Sequence, residues 1–139
     1  METLLHYLAL SGLLTVLLWT PYILARVFVW GIPTFLSNYP DNFPASEPEP
    51  PLWAQRAKRA HLNTVETLPA FIAVVVAALW LHADNNALLN TLAQFAALFF
   101  YSRIAYAVVY TLGIPFLRTP TYLVSWFSIL ATGWLTLMS

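Results

Sequence analysis

Four apolar runs, each long enough to cross a lipid bilayer, leave this chain very few folds to choose from. They extend over residues 4–32, 53–81, 87–112 and 117–138. Each is near or above the roughly 20 residues that cross about 30 Å of hydrocarbon at about 1.5 Å per residue. Leu, Ala and Val dominate the runs, which suits helices, whereas a membrane barrel needs strands of alternating polarity. The pattern predicts an all-α integral membrane four-helix bundle, with residues 1–139 forming one transmembrane domain. Pro21 and Pro33 sit inside and just past the first run, where each removes a backbone hydrogen bond and predicts a bend.

The composition agrees and narrows the chemistry. Hydrophobic residues make up 60% of the chain and charged residues 9%, against about 45–50% and 25% for a soluble domain. Six basic and six acidic residues cancel, so the chain has no bulk charge with which to recruit nucleic acid or coat an anionic surface. There are no cysteines, which excludes disulfides, thiolate metal sites and a protein-borne sulfur nucleophile. Any sulfur in the chemistry must arrive with a substrate. The start, Met1-Glu2-Thr3, is acidic where a secretory signal is basic, and the first run reads as a retained span.

The connectors orient the bundle. Residues 37–52 hold five of the ten prolines together with Asp41, Glu47 and Glu49, a composition expected to form an extended surface loop. Residues 82–86 make a tight turn in which Asp84 or Asn85 can cap the third helix. Arg56, Lys58 and Arg59 flank the first connector and Arg118 the third, while the second has no Lys or Arg. The positive-inside rule therefore puts connectors one and three in the cytoplasm. Trp30 and Trp53 are then expected in the inner aromatic belt, Trp80 and Trp134 in the outer one, and Trp19 and Trp126 in bundle packing.

Against this apolar background one polar cluster stands out. At about 100° per residue, Arg56, Arg59, Asn63 and Glu66 fall within about 80° of one another on the second helix, with Lys58 and His61 pointing elsewhere. The uninterrupted apolar part of that helix, residues 67–81, spans only about 22 Å, so the polar turns must enter the membrane. Ionisable groups at that depth are costly and read by default as functional. Pro69 loosens the helix one turn beyond Glu66. On the third helix Arg103, Tyr106 and Tyr110 lie within about 60° of each other. Arg118 and Tyr122 are one turn apart at the start of the fourth helix, and Arg26 falls near the same level on the first.

Glu66 with Arg103 could serve as a structural ion pair. The arginines together nevertheless outnumber Glu66, their only intramembrane anion, and that excess predicts an anionic ligand. Guanidinium groups suit carboxylates through bidentate bonds, and tyrosine hydroxyls add neutral donors. Asn63 and Glu66 could receive an ammonium or amide group. A small zwitterion with more carboxylates than amines fits this inventory.

The run from Arg59 through Ala60, Asn63 and Glu66 to Pro69 resembles R-A-x-x-N-x-x-E-x-x-P, the second-helix signature of the membrane-associated proteins in eicosanoid and glutathione metabolism, the MAPEG family. The likeness extends to the four-helix layout, to Arg103 with Tyr106 and Tyr110, and to Arg118 with Tyr122. It implies a homotrimer that binds glutathione between subunits near the cytoplasmic face. Arg56, Arg59, Asn63, Glu66, Arg103, Tyr106, Tyr110 and Tyr122 are then the expected glutathione contacts. Arg118 is implied as the catalytic arginine that stabilises the glutathione thiolate, with Arg26 as a second catalytic or carboxylate-binding arginine.

The implied activity is a glutathione transferase or peroxidase acting on lipophilic electrophiles or lipid hydroperoxides that arrive from the bilayer. The alternative is a non-catalytic membrane protein that binds a lipid or anionic metabolite at the same intersubunit site. Leu62 stands where the prostaglandin-synthase-like members have a further arginine, which argues against that isomerase activity. His6, His61 and His82 are too dispersed to form a metal site. Bacterial inner membrane and endoplasmic reticulum both fit as locations.

Overall fold

A computed structural model describes residues 1–37 and 49–139 of the chain; residues 38–48, the larger part of the Pro-rich connector expected as an extended loop, lie outside them. Every regular element among the described residues is helical: α1 Glu2–Leu17, α2 Thr20–Trp30, α3 Ile32–Leu36, α4 Leu52–Leu81, α5 Asn86–Leu112 and α6 Arg118–Met138. With α1 and α2 taken as one span, four helical segments are long and apolar enough to cross a membrane. The chain is a multi-pass integral membrane protein.

The bend expected at Pro21 is a break. Pro21 has no N–H to offer the carbonyl of Leu17, one turn back, and its ring crowds that oxygen. α1 accordingly ends at Leu17, and the Trp19 N–H reaches back only to Val16, at 3.2 Å. Beyond the break α2 packs on α4, where the Tyr22 hydroxyl hydrogen-bonds His61 Nδ1 at 3.0 Å. Pro69 leaves α4 unbroken, and Pro120 falls in the first turn of α6, where its missing N–H is not needed.

α5 is the central helix, packed against α1, α4 and α6. It is joined to α4 by the turn in which Asn85, and not Asp84, is the cap: Asn85 Oδ1 accepts from the Leu88 N–H at 3.1 Å. His82 Nε2 donates to the Thr136 carbonyl at 2.9 Å and ties this turn to the end of α6. The apolar core lies in this half of the bundle, with Phe71 stacked on Phe99 at 4.0 Å and flanked by Leu4, Val75, Leu89 and Leu92.

α4 meets its neighbours along Ala54, Ala57, Ala60, Thr64, Phe71, Val75 and Ala78, all buried and spaced at helical intervals. Small residues in the first half of that row let helices approach closely, as membrane helices commonly do. α6 buries Ser125, Ser128, Thr132 and Thr136, and each hydroxyl donates to a carbonyl one turn back at 2.7–2.8 Å. These hydroxyls are satisfied within their own helix and so can face the interior. Trp126, expected in bundle packing, is 48% exposed, because the hydroxyl row occupies the inward face; Trp19, at the α1–α2 break, is equally exposed.

The α5–α6 turn is unusual. Gly113 ends α5 in the left-handed conformation (φ 71°), and a Cβ there would collide with the Arg56 guanidinium. Phe116 also has a positive φ, 65°, and the Leu117 N–H bonds the Pro115 carbonyl across it at 2.8 Å. That is a γ-turn with a positive central φ, a rare and strained form, and such a position costs about 1–3 kcal/mol.

Phe71 is fully buried, and a large-to-small change of this kind costs about 3–5 kcal/mol. Phe71→Ala is expected to lower the midpoint of thermal unfolding in detergent well below that of Phe28→Ala, since the Phe28 ring is exposed.

Candidate functional site

The two halves of the bundle differ in what fills them. Around Arg103 the apolar core gives way to a polar node. Its side chain is fully buried, which for a guanidinium is tolerable only if its N–H groups find partners. They find three neutral ones. Nη2 donates to Asn63 Oδ1 at 2.8 Å and Thr64 Oγ1 at 3.0 Å, both on α4, and Nη1 donates to Ser125 Oγ on α6 at 3.2 Å. Nε has no hydrogen-bond partner among the described residues. The charge also rests against two rings, 4.7 Å from the centroid of Tyr106 and 5.8 Å from that of Tyr122, an attraction that gains strength when desolvated. Arg103 thus joins α4, α5 and α6 through neutral oxygens, and not by the ion pair with Glu66 that the sequence left open.

Over this node lies a groove of about 490 Å³ lined by Arg59, Asn63 and Glu66 of α4, Tyr106 and Tyr110 of α5, and Arg118 and Tyr122 of α6. Tyr106 and Tyr110 are stacked, with centroids 5.6 Å apart, and the Arg118 guanidinium lies 5.1 Å over the Tyr110 ring. The groove continues into a hollow of about 530 Å³ that shares Arg59, Tyr110 and Arg118 and adds Arg56, Gly113 and Phe116. Two of its walls carry exposed guanidinium groups, Arg59 and Arg118, and one carboxylate, Glu66, faces the same space.

The sequence-derived residues therefore fall into three positions. Arg59, Asn63, Glu66, Tyr106, Tyr110, Arg118 and Tyr122 share one groove, with Arg56 in its extension. Arg103 lies beneath them, inaccessible, and its hold on Asn63 Oδ1 leaves the Asn63 NH2 as the group free to donate. Glu66 alone remains to receive a cationic group. Arg26 is apart: it lines a hollow of about 420 Å³ with Tyr22, Lys58 and Glu49 and packs 4.2 Å over Trp30. Arg59 borders that hollow as well.

Thr64 and Ser125 were missed. Thr64 belongs to the buried row of α4 and Ser125 to that of α6. Their spacing could have shown them as packing positions, but nothing in the sequence marks them as partners of one arginine.

A model of the MAPEG family matches residues 3–138, nearly the whole chain. No curated protein and no solved structure matches it.

The Arg103 node has a measurable signature. Arg103→Lys cannot keep all three bonds, and each hydrogen bond to a charged group contributes about 1.5–3 kcal/mol, so a large drop in unfolding midpoint is expected. Asn63→Asp puts a carboxylate on the same guanidinium, a charge-assisted bond roughly twice as strong as a neutral one, and is expected to raise the midpoint.

Proposed function

The chain belongs to the MAPEG family, and on that premise we propose that it is a membrane-embedded glutathione transferase or peroxidase whose lipophilic acceptor comes from the bilayer. The observation that carries the reading is the charge pattern of the groove: Arg59, Arg118 and the Asn63 amide as donors, with Glu66 as the one anion. Glutathione has two carboxylates, one ammonium and a thiol, and this donor set matches it group for group. Arg59 and Asn63 would hold carboxylate or carbonyl oxygens, Glu66 the ammonium, and Tyr106, Tyr110 and Tyr122 would offer hydroxyls along the same wall.

Glutathione supplies the thiol that the cysteine-free chain lacks. What the chain supplies is Arg118, exposed at the first turn of α6 and steadied on the Tyr110 ring. A free thiol titrates near about 8.5, and an adjacent cation lowers that value, so more nucleophile is present at neutral pH. The start of α6 adds the positive end of a helix dipole to the same region. Arg26 lines the neighbouring hollow and not the groove; in a homotrimer, which we include in the proposal, it would act on the groove of a neighbouring copy. We place the groove at the cytoplasmic face, where the basic residues flank the first and third connectors.

The test is conjugation of glutathione to a soluble aromatic electrophile by the reconstituted full-length protein. Thiolate absorbance is expected on adding glutathione at neutral pH and is expected to vanish in Arg118→Ala. The rate of that variant should fall at least about tenfold at pH 7, and the deficit should close above about pH 8.5, where the thiol ionises unaided. Glutathione binding without turnover on any electrophile would instead favour a non-catalytic binding protein. A second expectation concerns Glu66→Gln, which should weaken glutathione about tenfold or more while leaving the affinity for a des-amino analogue nearly unchanged.

A further inference from the structure

Phe116 is the most exposed of the large apolar side chains among the described residues, at 91%, and the backbone is strained to hold it where it is. The γ-turn that carries it needs a positive φ, which Gly or Asn adopts far more readily than Phe. Backbone outliers of this kind concentrate at functional sites. The ring stands on a turn fixed from both ends. Gly113 closes α5 with the Arg56 guanidinium in the space a Cβ would need, and Arg118 follows two residues later.

Its surroundings differ from those of a plain membrane anchor. Phe116 lines the hollow that also holds Arg56, Arg59 and Arg118, and guanidinium groups do not face hydrocarbon. Ile114 and Pro115, both exposed, line the same hollow from the same turn. The hollow therefore has cations on its α4 wall and an apolar lip on its turn wall, continuous with the groove that holds Glu66 and Tyr122. An occupant matching both walls keeps its reacting end near Arg118 and lays a hydrocarbon portion on the lip.

We propose that Phe116 is a specificity-determining residue: with Ile114 and Pro115 it binds the hydrocarbon portion of the bilayer-derived acceptor beside Arg118. The inference rests on the transferase or peroxidase reading for its substrate, and the strained turn serves to keep the ring at the mouth of the groove when no acceptor is present.

The experiment uses the full chain in nanodiscs, glutathione, and a series of 2-alkenals that differ only in chain length. Phe116→Gly relieves the turn while deleting the ring, so misfolding is not expected. It should lower kcat/KM for the longest alkenal about tenfold more than for the shortest, and Trp80→Ala, an exposed side chain at the opposite end of α4 from Arg56 and Arg59, should leave the chain-length dependence as it is. An unchanged chain-length dependence in Phe116→Gly overturns the proposal, as does a fall in glutathione affinity that accounts for the whole loss. If the wild type shows no turnover at all, the functional reading fails by itself, and fluorescence still decides the role of the ring. The emission added by Phe116→Trp should be quenched by bromododecane in a saturable manner. Quenching that only rises linearly with bromododecane, matched by brominated lipid chains, identifies an anchor in the bilayer and overturns the proposal.

Discussion

A fully buried guanidinium with neutral partners is the constraint around which this bundle is arranged. Arg103 must find acceptors inside a membrane protein, where an unsatisfied N–H finds no water to bond, and it finds them on both neighbouring helices. Asn63, Thr64 and Ser125 are therefore held at one level, and α4, α5 and α6 can meet there in only one register. The small residues of α4 permit the close approach, and the hydroxyl row of α6 brings Ser125 inward without leaving other polar groups unpaired. The groove lies directly over this junction, so its walls inherit the register that Arg103 sets.

The rest of the bundle makes that arrangement affordable. The half built on Phe71, Phe99 and their aliphatic neighbours is packed by apolar side chains, whereas the half around Arg103, Tyr106 and Ala60 depends on hydrogen bonds and ring contacts. Packing in the first half offsets desolvation in the second. α2 belongs to neither core: past the break at Leu17 it leans on α4 through Tyr22 and His61, and Arg26 travels with it to the far side of Arg59.

The sequence carried the fold in a form that length and polarity could read, since four runs of bilayer length admit no other all-helical solution. It also carried the groove, because Arg59, Asn63 and Glu66, the α5 tyrosines and Arg118 with Tyr122 each repeat at helical spacing. What it did not carry depends on neighbours. The side on which Arg26 would lie follows from the α1–α2 break, and periodicity locates a proline without fixing the path beyond it. The orientation of the Asn63 amide is decided by Arg103 on another helix. Phe116 was silent as well, because a positive φ on a Phe is imposed by the turn's closure and leaves no composition signal of the kind that Gly or Asn would.

The order of rings and cations from α5 to the start of α6 has an electrostatic consequence. Arg103 and Arg118 are both cations, and between them stand the stacked rings of Tyr106 and Tyr110, each in contact with one guanidinium. The rings present negative faces to both charges, and they keep the two apart in a region where low dielectric strengthens repulsion. They do not cancel the charge. Arg103 has no counter-ion among its hydrogen-bond partners, so its field extends into the groove, where Arg118 adds to it and the Glu66 carboxylate offsets part of it. An anion bound between the tyrosines and α4 would relieve both cations together, and a neutral ligand of the same shape would relieve neither. In the function we propose, Arg103 would favour a charged ligand from beneath the groove without touching it.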